Sequence, residues 1–276
     1  MKRLACVLLG ILAAIPAAAE EYKLVWSDEF NTPGMPDPAK WDYEEGFIRN
    51  NELQYYTRAR KENGRVEEGC LVLEARKEPF KNPGYDPEAK DKKSLRKGRE
   101  TADYTSASLI TRGKAAWTHG KIEVKAKLPT GRGMWPAIWT LGTDKSQGWP
   151  ACGEIDIMEN VGFDPDLIHA NIHTAKYNHV KKTNKGSKIT IPAPHTAFHV
   201  YWIEWTPEKI DFYVDEKKYF TYENEKSGPD AWPYDKDQYL ILNIAVGGAW
   251  GGQMGVDDAV FPQKMMIDYV RVYQKK

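Results

Sequence analysis

The chain has 276 residues, and its 39 Lys plus Arg are balanced by 39 Asp plus Glu, so the formal net charge is zero. That balance leaves no field to gather nucleic acid or an anionic membrane, and a neutral partner is expected. Ten Trp and fifteen Tyr, several beside Gly or Pro, suit the apolar faces of sugar rings as well as the interior of a large core.

Met1, Lys2 and Arg3 precede an apolar stretch from Leu4 to Ile15, then Pro16 and the small residues Ala17, Ala18 and Ala19. A basic start, a short apolar middle and an Ala-rich exit predict an export signal over residues 1–19, shorter than the ~20 residues a membrane-spanning helix needs. The mature chain is expected to start near Glu20, to be secreted or periplasmic, and to have no membrane attachment after cleavage. Residues 20–276 fit one all-β domain of the larger kind, because no linker or repeat divides them. Two cysteines remain after export, Cys70 and Cys152, and sequence alone does not decide whether they pair.

The segment from residue 77 to 104 is rich in charge, Pro and Gly, and reads as a long surface excursion with no assigned role. Beyond it, period-2 alternation dominates. In GKIEVKAKLP (120–129), Ile122, Val124, Ala126 and Leu128 face one way while Lys121, Glu123, Lys125 and Lys127 face the other. HVYWIEWT (199–206) reads as a strand, and KIDFYVDEKKYFTYE (209–223) as a hairpin turning near Asp215 and Glu216. YLILNIAVGG (239–248) and MMIDYVRVY (265–273) add two more strands. No long capped helical pattern interrupts them, so the predicted architecture is a two-sheet antiparallel β-sandwich.

Chemistry concentrates in GEIDIMEN (153–160), where Glu154, Asp156 and Glu159 sit among Ile155, Ile157 and Met158. Alternation places Glu154 and Asp156 on one face, but Glu159, five positions from Glu154, points the other way in a regular strand. A β-bulge at Ile157 or Met158 is needed to bring it round. Two Glu leaning together over an Asp approach the ~5–5.5 Å separation of a retaining glycosidase rather than the ~6.5–9.5 Å of an inverting one. Their mutual repulsion also keeps one carboxyl protonated near neutral pH, ready to donate to a leaving oxygen. A calcium site or an exposed acidic strand is the competing reading, which the flanking Ile and Met disfavour.

GEIDIMEN resembles the active-site motif of glycoside hydrolase family 16 in its bulged form. HGKIEVKAKLPTGRGMWPAIWTLG (119–142), WSDEFN (26–31), NNELQYYT (50–57), LNIAVGGAWGG (242–252) and DYVRVY (268–273) are similar to further landmarks of that family, in the same order. Within the family the similarity is greatest to laminarinases, which are endo-acting β-1,3-glucanases. The resemblance implies a β-jelly roll with a concave substrate cleft, with Glu154 as nucleophile, Asp156 as its partner and Glu159 as acid/base.

It also implies that Trp135 and Trp139 line the cleft; four apart, they share a strand face unless Pro136 disrupts it. His173 is matched to a cleft histidine bonding the acid/base or a sugar hydroxyl, with His169 as the internal control. Asn51 and Arg112 are candidate contacts to sugar hydroxyls, and Trp250, within GGAWGG, is a ring on a Gly-rich loop. No catalytic cofactor is implied, but a structural calcium is, held by Asp268 with carbonyls of Glu29 and Gly69. Ser108 stands where many relatives carry Arg, so a familiar polar contact must be absent or come from elsewhere.

The expected partner is thus a β-1,3- or mixed β-1,3/1,4-glucan, met by a monomer. The competing readings are a glucan-binding recognition protein without catalysis, in which loss of one or both acids is expected, and a family 16 enzyme acting on galactan or xyloglucan.

Overall fold

The computed structural model describes residues 21–88, 95–144 and 146–276. The export signal read over residues 1–19 lies outside the described residues, as do residues 89–94 of the charged segment.

In chain order the strands are β1 (Tyr22–Asp28), β2 (Asp42–Tyr43), β3 (Gln54–Tyr56), β4 (Gly64–Glu67), β5 (Cys70–Lys81) and β6 (Thr101–Ser106). They continue through β7 (Ser108–Ile110), β8 (Gly120–Lys127), β9 (Met134–Gly142), β10 (Glu154–Val161), β11 (Asp164–His173) and β12 (Lys185–Thr190). Then follow β13 (His199–Trp205), β14 (Lys209–Val214), β15 (Lys217–Glu223), β16 (Gln238–Val246) and β17 (Gln263–Lys275). Among the described residues the α-helices are single turns, α1 (Leu95–Gly98) and α2 (Gly248–Gly251), and no helix is long and apolar enough to cross a membrane.

Alternation along the strands builds two layers. One sheet runs β15-β14-β13-β8-β17-β5-β6-β3, with β1 added on β17 and β4 on β5. The other runs β12-β11-β10-β9-β16-β7-β2. Between them, Ile122, Val124 and Ala126 of β8 and Tyr201, Ile203 and Trp205 of β13 meet Ile155, Ile157 and Met158 of β10 and Leu240, Leu242 and Ile244 of β16, all of them buried. Each such apolar side chain contributes roughly 1.5–3 kcal/mol on burial, so truncating one at the centre of this layer costs about 2–5 kcal/mol.

The two-sheet β-sandwich is as expected, with one difference: it is not wholly antiparallel, because β3 and β6 pair in parallel. The segment from residue 77 is also not one excursion: β5 continues to Lys81, and β6 begins at Thr101 and pairs with it. One face of these strand ends packs Phe80 and Ala102 against Phe47 and Tyr55, but the alternation is short and is obscured in sequence by Pro79 and the neighbouring charges. Cys70 and Cys152 are both buried and unpaired.

Candidate active site

The outer face of the second sheet carries a cleft of about 650 Å³ running over β11, β10, β9 and β16. Beside it, Ile110, Ala137, Trp139, Tyr239 and Ile241 form a second apolar cluster on this same face. A sheet buried on both faces explains why β16 reads as an unbroken apolar run rather than an alternating one.

The acids reach the cleft through a bulge. On the β9 side Asp156 pairs with Trp139 and Met158 with Ile138, which leaves Ile157 as the extra residue. On the β11 side, three steps from Asp156 to Glu159 match two steps from Asn171 to His169. Ile157 and Met158 both turn into the core, and Glu154, Asp156 and Glu159 all line the cleft. Two local devices fix the ends of β10. Gly153 has φ +80°, and a Cβ there would lie 2.7 Å from Pro233, so glycine alone fits ahead of Glu154. At the other end the buried Asn160 side chain donates to the carbonyls of Asp164, Pro165 and Leu167, closing the β10–β11 turn.

Each acid has its own partners. Trp149 Nε1 donates to Glu154 Oε2 at 2.7 Å, and Trp135 Nε1 donates to Glu159 Oε1 at 3.0 Å. His173 Nε2 lies 3.3 Å from Asp156 Oδ2 and 3.7 Å from Glu154 Oε1. Tyr234 Oη donates to the carbonyls of Glu154 and His173, tying the start of β10 to the end of β11.

Burial, reinforced by the Asp156 charge, pushes Glu154 up to about 8, while His173 and the Trp149 N–H pull the other way. Burial pushes Glu159 up to about 7, opposed by the Trp135 hydrogen bond and reinforced by Glu154. Asp156, 2% exposed, is raised well above the carboxylate range by burial and by Glu159. The hydrogen bond between Glu154 and Asp156 raises Glu154 and lowers Asp156, so the two carboxyls share one proton more readily than either bears a charge beside the other. The arrangement therefore supports one ionised and one protonated Glu in the same cleft.

Of the other residues singled out from sequence, Trp135 and Trp250 line the cleft. Trp250 sits on α2 rather than on an irregular loop, its ring edge-on to Trp135 at 5.6 Å and to His169 at 4.9 Å. Trp139 shares the face with Trp135 but is 7% exposed, with its N–H on Asn243 and the Arg49 guanidinium 4.9 Å from its ring, so it is not an open stacking surface. His173 stands beside Glu154 and Asp156, not at Glu159; it is His169 that pairs across from Glu159. Asn51 is exposed and does not line the cleft, because Asn50 and Asn51 both take left-handed φ and the turn presents Asn50 and Glu52 instead. Arg112 also lies outside the cleft lining, exposed, with its guanidinium 5.5 Å from the Tyr239 ring.

The cleft is also lined by Trp149, Asn171, His179, Asn184, Arg49 and Glu52, none of them singled out by sequence, and by His169. His169 was legible from its four-residue spacing to His173. Trp149 and Arg49 lie on connections, where no periodicity signals orientation. Ser108 donates to Glu44, which in turn holds Arg49, so the cation at this end of the cleft comes from a different segment.

On the other sheet, β17 changes partners at Asp268: it pairs with β5 up to Ile267 and with β1 from Val270. The β4–β5 turn at Glu68 and Gly69 (φ 52° and 73°) and the end of β1 before Glu29 therefore flank Asp268. The Asp268 carboxylate is 2.7 Å from Lys125 Nζ, and the Glu29 carboxylate is held by Arg271. One carboxylate and two turn carbonyls fit a hard cation by type, with Lys125 as its competitor.

A two-layer β-sandwich with paired buried carboxyls in an aromatic-lined cleft defines a glycoside hydrolase. The chain belongs to glycosyl hydrolases family 16, whose model matches residues 51–271. It is 52% identical over 266 residues to a beta-glucanase of Rhodothermus marinus, covering 93% of this chain and 86% of that one. The solved structure of the laminarinase from Rhodothermus marinus superposes with a TM-score of 0.83 at 50% identity, covering 93% and 99% of the two chains. A mutant of SCLam, a non-specific endo-beta-1,3(4)-glucanase co-crystallised with 1,3-beta-D-cellotriosyl-glucose, matches with a TM-score of 0.83 at 50% identity over 95% of this chain and 97% of that one.

Proposed function

We propose that this protein is an exported endo-glucanase that hydrolyses β-1,3-glucan, or mixed β-1,3/1,4-glucan, with retention of configuration. The observation that carries the reading is the bulge at Ile157, which turns Glu159 into the cleft that already holds Glu154 and Asp156. The Glu154 carboxylate attacks the anomeric carbon while Glu159 protonates the departing glycosidic oxygen. Water, deprotonated by Glu159, then attacks the same carbon and releases Glu154. Asp156, hydrogen-bonded to Glu154, raises its proton affinity, and the proton they share assists release of Glu154 as a leaving group from the glycosyl-enzyme.

Both acids are present, which disfavours a recognition protein without catalysis. Four carboxyls, Glu52, Glu154, Asp156 and Glu159, face a single Arg in the cleft lining, which disfavours a sulfated galactan. Export rests on residues 1–19. A structural calcium at Asp268, with the carbonyls of Glu29 and Gly69, belongs to the same reading, as does action as a monomer.

The test is to incubate the mature protein and Glu154→Ala with laminarin, barley mixed-linkage glucan, agarose and carrageenan, following new reducing ends and the anomeric proton of the first product by NMR. β-anomeric oligosaccharides from laminarin, lost in the variant, support the proposal. Binding without release favours a recognition protein, and release from a galactan alone overturns the substrate.

A further inference from the structure

One arm of the cleft runs from Trp139 over β16 toward β7, and its floor is sealed. The Trp139 N–H is committed to Asn243 Oδ1 at 2.7 Å, and Arg49 lies over the indole. A sugar entering this arm therefore meets a guanidinium rather than an indole face. Arg49 is the one Lys or Arg among the described residues that line the cleft.

It is held from behind. Nη2 donates to Glu44, whose second carboxylate oxygen accepts from Ser108 Oγ at 2.7 Å. Glu52, 3% exposed and bonded by Gln54 and Asn50, adds a second negative charge that acts on Arg49. A guanidinium carries five N–H donors in a fixed plane. Glu44 engages one nitrogen, and the side chain keeps 22% of its surface open where it lines the cleft. Stacking on Trp139 and pairing with Glu44 fix the plane, so ordering costs little when a ligand arrives. With Glu44 and Glu52 both beside it, Arg49 offers donors without a net positive potential. Such a site suits hydroxyl oxygens of a neutral sugar and repels a sulfate or carboxylate.

We propose that Arg49 is a substrate-binding residue that selects a neutral sugar unit in this arm, beyond the unit whose bond is cut, by donating to its hydroxyls. The proposal rests on the β-glucan reading and names the residue that sets preference in one of its subsites.

The experiment maps subsites. Bond-cleavage frequencies and kcat/KM are measured on β-1,3-gluco-oligosaccharides of increasing length for the wild type, for Arg49→Lys, and for Arg49→Met combined with Glu44→Gln, which removes the ion pair together and leaves Glu52 held by Gln54 and Asn50. A charge-assisted hydrogen bond corresponds to roughly 10–100-fold in binding. The expected result is a loss of that size in the contribution of one subsite in the double variant, a smaller loss at the same subsite in Arg49→Lys, and unchanged contributions at the others. An equal loss at every length makes Arg49 a structural residue and overturns the proposal, as does an unchanged map. A wild type that cleaves none of the series overturns the β-glucan reading and this proposal with it.

Discussion

Trp149 and Glu154 are joined by a 2.7 Å hydrogen bond from the indole Nε1 to Oε2, although they come from different kinds of structure. Glu154 begins β10, whereas Trp149 lies on the connection before it and is 40% exposed. Its ring also lies 6.0 Å from His173 and 5.0 Å from His179. One side chain thus forms part of the cleft wall and stabilises the anion of the proposed nucleophile. At the other end of β10, Trp135 makes the corresponding bond to Glu159.

These two indoles give opposite limbs of the pH profile separate handles. A donor to a carboxylate favours its ionised form, so removing it raises the pKa. Trp149→Phe should shift the acid limb of kcat/KM, set by ionisation of Glu154, to higher pH. Trp135→Phe should shift the alkaline limb, set by loss of the Glu159 proton, to higher pH and leave the acid limb in place. Full pH–rate profiles on laminarin decide the matter, and movement of the wrong limb in either variant reverses the assignment of roles.

The same carboxyls make stability depend on pH in a defined direction. Glu154 and Glu159 are raised from an ordinary value of 4.5 to about 8 and about 7. Between those limits the folded chain binds more protons than the unfolded one, so their contribution to stability falls as pH rises. Glu154→Gln removes one such group. It should raise the unfolding free energy by on the order of a few kcal/mol at most near pH 8, and by little near pH 4, below both pKa values. Denaturant unfolding at both pH values measures this, and an equal gain at each pH would point to packing rather than ionisation.

Much of this was legible because it depends on alternation. The strand over 120–129, the hairpin at Asp215 and the bulge within GEIDIMEN all follow from which side chains must face the core. The bulge was predictable in particular because Ile157 and Met158 cannot both be buried with Asp156 and Glu159 outward on a regular strand. What stayed hidden lies where no periodicity operates. Asn50, not Asn51, lines the cleft, because of two consecutive left-handed residues that cannot be foreseen from side-chain pattern. Trp139 reads as a platform in sequence because nothing in the chain signals that Arg49, from a distant connection, covers its ring.

Trp250 tests how far the cleft relies on aromatic contact. Trp135 and His169 meet it at 75° and 85°, so edge-on neighbours hold the ring while it lines the cleft. Burial of a ring face against a sugar is worth roughly 1–2 kcal/mol, or about 5–30-fold. Trp250→Ala should raise KM for laminarin by about that factor with kcat little changed, since the ring touches none of the three acids. A fall in kcat with KM unchanged would instead make Trp250 a support for Trp135 and Glu159.

The proposed calcium site can be tested apart from activity. A cation at Asp268 has to displace Lys125, whose ammonium lies 2.7 Å from the carboxylate. Binding to the folded chain alone adds about 2.7 kcal/mol at a hundredfold excess over Kd, equivalent to a rise of about 5–10 °C in Tm for a chain of this size. Adding calcium after EGTA treatment should raise Tm in the wild type, have no effect in Asp268→Ala, and act at lower concentration in Lys125→Ala, where the competing ammonium is gone. A wild-type Tm indifferent to calcium would leave Asp268 with a simpler role, an ion pair with Lys125 where β17 passes from β5 to β1.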